Sequence, residues 1–598
     1  MRLNSGLFTI SHVPRNSMLF LVLKNKRMNQ NIYPKKDFMS VLPRPASSRG
    51  YKTHEVENMP PEMPNQNLYL GDEVLLAAVK REGVDWVQEL AVKTGELTGS
   101  QQFRDIAHLA NREHPVLRTH DRIGRRIDMV DYHPAYHQLM AETYRMEAHS
   151  ISWTTKNKRP QTGRSVLFYL WNQLENGVIA CPNGMSCSIV PLLQSDPEIG
   201  NRWLSKVLST EYDPRPLYAG EKKSVTVGMA MTEKQGGSDL RANSTMAVPT
   251  GNDREYLLTG HKYFVSAPMS DIILATAKTE NHNGISIFIV PRILANGERN
   301  SIHIQRLKTK LGNQSNATSE VELDNAIAYR IGEEGRGIRE FVKHMTHFIR
   351  TGMSLGAAGI MRTAVTLAIH HTTHRKAFGS TIRDLPMMQN TLADLAIESE
   401  AATLLGFRVA VAGDDAKTKE ADKLLSRILV PIAKYWNCRR VSSVTLEALE
   451  CHGGMGYIED QSIARFHREA PLNSIWEGTS AMMGLDVMRA MQAEPASKDA
   501  LLEEIKLAKG GNRHLDAYVK KLEDELVQYS TDFEPHARRM MTKLAKAMQG
   551  SLLIRQSIPE VADAFCAARL GGEWAQEYGT LKVTGSPLKK IVDRAAIK

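Results

Sequence analysis

Cysteine is scarce in this chain. The five residues Cys181, Cys187, Cys438, Cys451 and Cys566 form no CxxC pair and make an odd total. That spacing argues against a disulfide framework and a cysteine-based zinc centre, and reduced thiols in an intracellular compartment are expected. Long apolar runs are missing too: nothing approaches the roughly 18 residues a membrane helix needs. Met18–Leu23 is only a short patch, so no bilayer-spanning segment is expected. There is no Walker loop and no nucleophile elbow. Gly332-Glu333-Glu334-Gly335-Arg336-Gly337 is crowded by acids and lacks the βαβ unit that a dinucleotide fingerprint requires. His370 and His374 are four apart on a helical stretch but have no third ligand in view, so no metal site is expected.

Acids are rarest at the N-terminus. Residues 1–52 hold ten Lys or Arg against the single acid Asp37, which accounts for nine of the ten net positive charges. The rest of the chain is close to neutral, so composition gives little support to a nucleic-acid surface. An acid-poor leader with Arg, Ser and scattered apolar residues has the make-up of a mitochondrial transit peptide, and a matrix protein is expected. A disordered basic tail on a cytoplasmic protein is the alternative.

What is present is globular: 42% apolar and 24% charged residues over 598 positions. That length predicts roughly four domains. After a Pro-rich hinge, Met59-Pro60-Pro61-Glu62-Met63-Pro64, three- and four-residue apolar spacing predicts helices over Asp72–Val92, Tyr136–Ile151 and Ser165–Leu174. From about 224 to 330 the period shortens, with β-rich runs at Ser224–Met231, Tyr256–Leu258, Ile272–Ala275, Ile285–Val290 and Ser319–Leu323, so a small barrel is expected. Helical spacing returns over Gly337–His374, Met387–Gly413, Lys417–Cys451 and Thr479–Met491, enough for a four-helix bundle. The resulting division is a basic leader (1–60), an N-terminal helical domain (61–222), a middle β-barrel domain (223–335), a C-terminal bundle (336–492) and a helical extension (493–598).

Asn473-Ser474-Ile475-Trp476-Glu477-Gly478-Thr479-Ser480 sets one carboxylate between an apolar pair and a flexible tripeptide. Desolvation beside Ile475 and Trp476 would raise the pKa of Glu477 toward the range of a general base. Gly478 allows close approach of a ligand, and Thr479 or Ser480 could cap the following helix. Met231-Thr232-Glu233-Lys234-Gln235-Gly236-Gly237-Ser238-Asp239 ends a strand with hydroxyls and paired glycines that suit an anionic or heteroaromatic ligand. Phe264 and Ser266 share one face of a strand, an aromatic plane beside a hydroxyl. Arg375 and Phe378 follow a long helix, a fork for pyrophosphate and a stacking face.

Taken together, these motifs in this order resemble the acyl-CoA dehydrogenase family of flavoproteins over roughly 65–490. The segments Met229–Asp239, Gly260–Pro268, Lys308–Ala317, Gly453–Tyr457 and Ser474–Ser480 are similar to its AidB-type branch, which also carries a C-terminal helical extension. An animal homologue with an N-terminal leader is expected. The resemblance implies that Glu477 abstracts the α-proton of a medium- or long-chain fatty acyl-CoA as the β-hydrogen leaves as hydride to FAD. It implies FAD contacts from Met229, Met231, Thr232, Gly237, Ser238, Phe264, Ser266, Gly453, Gly454 and Thr479, and substrate contacts from Ser238, Arg350 and Gly478. Arg375 and Phe378 are similar to residues that reach the FAD of a neighbouring subunit, implying a homo-oligomer, with a dimer of dimers expected. An electron-transferring flavoprotein is the implied acceptor. His347, Pro386, Glu450 and Ala481 depart from the family pattern and weaken the adenine and CoA contacts. The alternatives are a DNA-binding flavoprotein and an acyl-CoA-sequestering regulator of low turnover.

Overall fold

The computed structural model describes residues 54–280, 282–529, 532–572 and 577–597. The expected leader lies outside the described residues as far as position 53, and residues 54–59 contain no helix or strand. The remainder, from Pro60 onward, is one compact unit.

Asp72 starts helix α1 (Glu73–Glu82): one carboxylate oxygen accepts the N–H groups of Val74 and Leu75, each at 3.1 Å. The expected single helix over 72–92 is broken at Gly83. That residue adopts φ +64° and returns its N–H to the carbonyls of Lys80 and Val79, closing α1 before α2 (Gln88–Thr98) begins. Helices α3 (Gln101–Arg112) and α4 (Pro134–Arg145) flank a hairpin that apolar spacing does not reveal, β1 (Val116–His120) with β2 (Arg126–Asp131). Its strands are charged and half-exposed, so they show no apolar alternation. Pro160 opens α5 (Pro160–Asn172), whose first N–H groups are capped from a distance by Asp414, which accepts from Gln161 and Thr162 at 3.1 and 2.8 Å.

The middle region is a barrel. Strands β3 (Val227–Ala230), β4 (Met246–Pro249), β5 (Glu255–Ser266), β6 (Ile272–Thr279), β7 (His282–Pro291), β8 (Ile302–Leu307) and β9 (Thr318–Ile331) form one sheet. Its pairings run β5 to β9 to β7 to β6 and return through β3, which pairs with both β6 and β5. The circuit therefore closes. Ile273 and Ala275 face the barrel core with Phe288 and Val321, while Ile272 and Leu274 cluster with Ile189 and Trp203 of the N-terminal region. Both faces are buried, which explains the unbroken apolar run in β6.

Four long helices follow: α6 (His347–His374), α7 (Pro386–Asp415), α8 (Glu420–Glu450) and α9 (Ser480–Ala493). The stretch Gly337–His374 is long and apolar enough to cross a membrane by length and composition, but 89% of its most apolar window is buried within the protein. The extension adds α10 (Ala496–Lys506), α11 (Arg513–Gln528), α12 (Ala537–Gln556), α13 (Pro559–Phe565) and α14 (Ser586–Ala595). Buried charge fastens it to the bundle. Arg569 contacts Asp394 and, at 3.1 Å, Glu398, both on α7; Arg440 of α8 also holds Glu398 at 2.9 Å. Trp436 donates to Gln549 at 2.8 Å, and Asn390 exchanges two bonds with the backbone of Leu581.

Replacing Arg569 by Met leaves two buried carboxylates short of a cation, a loss of about 3–5 kcal/mol for a broken buried pair. Urea unfolding of the variant should show a drop of that size; a loss below about 1 kcal/mol would mean the clamp carries little stability.

Candidate active site

The turn between Ser474 and α9 holds Glu477 at φ +56°, a conformation costly for a residue with a β-carbon. Two cations fix it. Arg350, in the first turn of α6, donates from Nε to the Glu477 carbonyl at 3.3 Å, and Lys434, in the middle of α8, donates from Nζ to the Gly478 carbonyl at 2.5 Å. Gly478 sits at φ +106°, and a β-carbon there would lie 2.6 Å from the Met483 methyl. Arg350 is itself oriented by Asp486, which also pairs with Arg427 at 3.0 Å.

Among the described residues the Glu477 carboxylate accepts no hydrogen bond. Burial pushes its pKa upward, opposed by Arg350 and Lys434. Burial also draws the pKa of Lys434 down. The Cys181 thiol, pushed up to about 11 by burial, titrates under the influence of Lys310, Glu477 and the Ser266 hydroxyl, so these groups share one neighbourhood. Met229, Met231, Ile349 and Trp476 pack in the same cluster as Cys181.

On the barrel side, Glu233 and Lys262 form an ion pair at 2.8 Å with both side chains fully buried. Glu233 also accepts from the backbone and hydroxyls of Ser244 and Thr245, and these partners outweigh burial and hold its pKa down at about 2. This pair anchors the loop after Thr232. Beyond it Gly237 and Ser238 are exposed, and a β-carbon on Gly237 meets nothing within 4 Å. Among the described residues, Thr232 Oγ1 and Trp476 Nε1 are buried without hydrogen-bond partners. Phe264 is half-exposed, with the Lys308 ammonium 4.7 Å from its ring centre. Thr479 takes the N-cap position of α9, but its side chain makes no capping bond.

The sequence-predicted residues fall into two groups. Glu477, Gly478, Thr479 and Arg350 gather where α6 begins, alongside Met229, Met231 and Ser266. Arg375 and Phe378 lie past the other end of α6, about 42 Å from its start at 1.5 Å per residue. Phe378 is 96% exposed. The turn carrying Gly453 and Gly454 belongs to this second end, because His452 lies 4.6 Å from His371 ring to ring. His370 and His374 each bond a backbone carbonyl at 2.8 Å.

Glu233, Lys262 and Lys434 were not singled out from the sequence. Lys434 had a signal: it is the one charge in Ile428-Leu429-Val430-Pro431-Ile432-Ala433-Lys434-Tyr435-Trp436, and a charge inside an apolar helical run has to find a partner.

Comparison with known proteins follows the same order of parts. Residues 58–214 match the adaptive response protein AidB N-terminal domain, residues 228–326 the acyl-CoA dehydrogenase middle domain and residues 335–492 the acyl-CoA dehydrogenase C-terminal domain. The chain belongs to the acyl-CoA dehydrogenase family, oxidoreductases built on FAD. Within the family its relatives are AidB-like. AidB of Escherichia coli K12 is 38% identical over 523 residues, 87% of this chain and 95% of that protein. Acyl-CoA dehydrogenase family member 11 of Caenorhabditis elegans is 29% identical over 527 residues, 80% of this chain and 84% of that one. The crystal structure of C. elegans ACDH-11 in complex with C11-CoA has the same fold, with a TM-score of 0.76 at 23% identity over 93% of this chain and 95% of that one.

Glu469, eight residues before Glu477, ties this segment to the loop after β8 by accepting the Asn313 N–H at 2.8 Å. Burial and then Glu175 raise its pKa from 4.5 to about 7. The folded protein therefore binds a proton that the unfolded chain has released between those values, so stability falls as pH rises through that window. Glu469→Gln should remove a fall of about 3 kcal/mol, read by urea unfolding from pH 5 to 8. A variant with the wild-type slope would show that Glu469 is not the titrating group.

Proposed function

We propose that the protein oxidises a medium- or long-chain fatty acyl-CoA to the trans-2-enoyl-CoA, with Glu477 as the base. The observation that carries this reading is the state of Glu477: an unpaired carboxylate of raised pKa on a clamped turn.

The residues fit FAD. Thr232 Oγ1 and Trp476 Nε1 are buried donors with no acceptor among the described residues, and the open Gly237–Ser238 loop leaves room for a ligand backbone. Met229, Met231, Thr232, Gly237, Ser238, Phe264, Ser266 and Thr479 would hold the flavin, which supplies the hydride acceptor when bound. Glu477 removes the α-proton, and substrate covering the carboxylate strips its remaining water and strengthens it as a base. Charge then gathers on the thioester oxygen. The Glu477 and Gly478 N–H groups have no acceptor among the described residues, so they are free to receive it. One such donor is worth about 3 kcal/mol. Arg350 and Lys434 are spent on the two carbonyls beside these N–H groups, and they fix where the donors point.

The span of α6, about 42 Å, supports an assembly in which Arg375 and Phe378 serve the FAD of a second subunit, as in a dimer of dimers. Electrons taken from the substrate have to leave, and an electron-transferring flavoprotein suits that role. C. elegans ACDH-11 binds C11-CoA, which supports a thioester of intermediate length here.

Anaerobic mixing with saturated acyl-CoA from butyryl to palmitoyl should bleach the flavin, fastest for one length. Glu477→Gln should slow bleaching by roughly 10²- to 10⁴-fold with the flavin retained. An equally fast variant would remove Glu477 from this role, and tight binding without bleaching would turn the protein into a sequestering regulator. Lys434→Met should cut the bleaching rate at least tenfold with little change in acyl-CoA affinity, since it acts on the turn and not on the ligand.

A further inference from the structure

Among the described residues, three buried guanidinium groups make no ion pair; Arg164 and Arg465 each donate to a backbone carbonyl, at 2.8 and 2.9 Å, and Arg292 makes no side-chain hydrogen bond. Arg292, just past the end of β7, is 6% exposed, and its Nε has no hydrogen-bond partner. No carboxylate lies within ion-pair distance of it among the described residues. The carboxylates nearby are committed elsewhere. Asp271 holds Lys222 at 2.6 Å and the Thr226 N–H at 2.9 Å, Asp213 holds Arg215 at 2.7 Å, and Asp131 holds Arg118 at 2.8 Å. A buried charge left in this state costs several kcal/mol. Arginine does not escape the cost by releasing its proton.

Arg292 lines a cavity of about 210 Å³. Its walls combine the β1–β2 hairpin, α4, the strand ends of the barrel and the segment around Tyr212. Tyr132, Tyr136, Tyr212, Met129, Met140 and Met269 give it an aromatic and thioether lining. The Tyr132 and Tyr136 rings stack at 4.1 Å, so that wall is preformed. A cavity of this size has room for a small organic acid.

We propose that this cavity binds a small free monocarboxylate with an aromatic or short aliphatic body, its carboxylate on Arg292 and its body against the tyrosine and methionine wall. The site is separate from the thioester site and shares a partition with it. Pro182 and Ala267 line the cavity, while their chain neighbours Cys181 and Ser266 belong to the surroundings of Glu477. Ala267 stands at φ +52° and is held by a bond from its N–H to the Ala317 carbonyl at 3.0 Å. An occupant is thus one residue away from the flavin-side strand.

Calorimetric titration of the flavin-loaded protein with benzoate and with hexanoate should show saturable binding at one site per chain. Arg292→Gln should weaken both at least tenfold and leave the bleaching rate with acyl-CoA within twofold. Met129→Trp, at a partly exposed lining position, should block binding by filling the space with Arg292 intact, which guards against misfolding of the first variant. Inorganic phosphate should bind more weakly than benzoate, because it has no body for the wall. No binding by wild type, equal binding by Arg292→Gln, or competitive displacement by acyl-CoA would each overturn the proposal.

Discussion

Glu477 stands at φ +56°, and a side-chain-bearing residue keeps such a conformation only where its surroundings overdetermine it. Those surroundings come from two helices. Arg350 arrives from α6 and Lys434 from α8, each taking one carbonyl of the turn, so the position of the carboxylate is set by how the two helices pack. Neither cation reaches the carboxylate itself by hydrogen bond. The arrangement separates two demands that oppose each other, because a direct salt bridge would hold Glu477 in place but lower its basicity.

The same treatment of charge recurs through the molecule. Asp72 caps α1 with one oxygen and meets Arg362 of α6 with the other at 3.0 Å, joining the N-terminal helices to the bundle. Glu233 and Lys262 do this for the loop beside the barrel, and Arg569 with Asp394 and Glu398 for the C-terminal extension. Each pair is expensive to bury, and each joins segments far apart in sequence, so the pairs act more as fixers of geometry than as sources of stability. Arg292 departs from the pattern: among the described residues no ion pair or side-chain hydrogen bond offsets its burial.

Much of this was legible in sequence wherever period and punctuation agreed. The four long helices and five of the seven barrel strands announced themselves because their apolar faces are continuous, but β4 and β8 were not singled out and β9 runs eight residues past its expected end. The Gly83 break was not, since a glycine inside a helical pattern reads equally as an interior residue or as a stop. The β1–β2 hairpin was hidden because it is held by pairs such as Arg118 with Asp131, 13 positions apart, and by Asp128 accepting the Ile304 N–H at 3.1 Å across 176 positions. At the site, Glu477 and Gly478 were readable from their neighbours. Lys262 and Glu233 were not, because nothing local says that a lysine on a strand points inward. Arg375 and Phe378 were readable as a motif, but their distance from Glu477 follows only from the unbroken length of α6.

That length has a genetic consequence. Under the proposed assembly a single polypeptide contributes the proton-abstracting end of one catalytic unit and the cofactor-gripping end of another. Two inactive alleles, one damaged at Glu477 and the other at Arg375, would then complement each other in mixed oligomers. One interface would collect both lesions and its counterpart neither, so a cell carrying both alleles would retain activity that neither allele provides by itself.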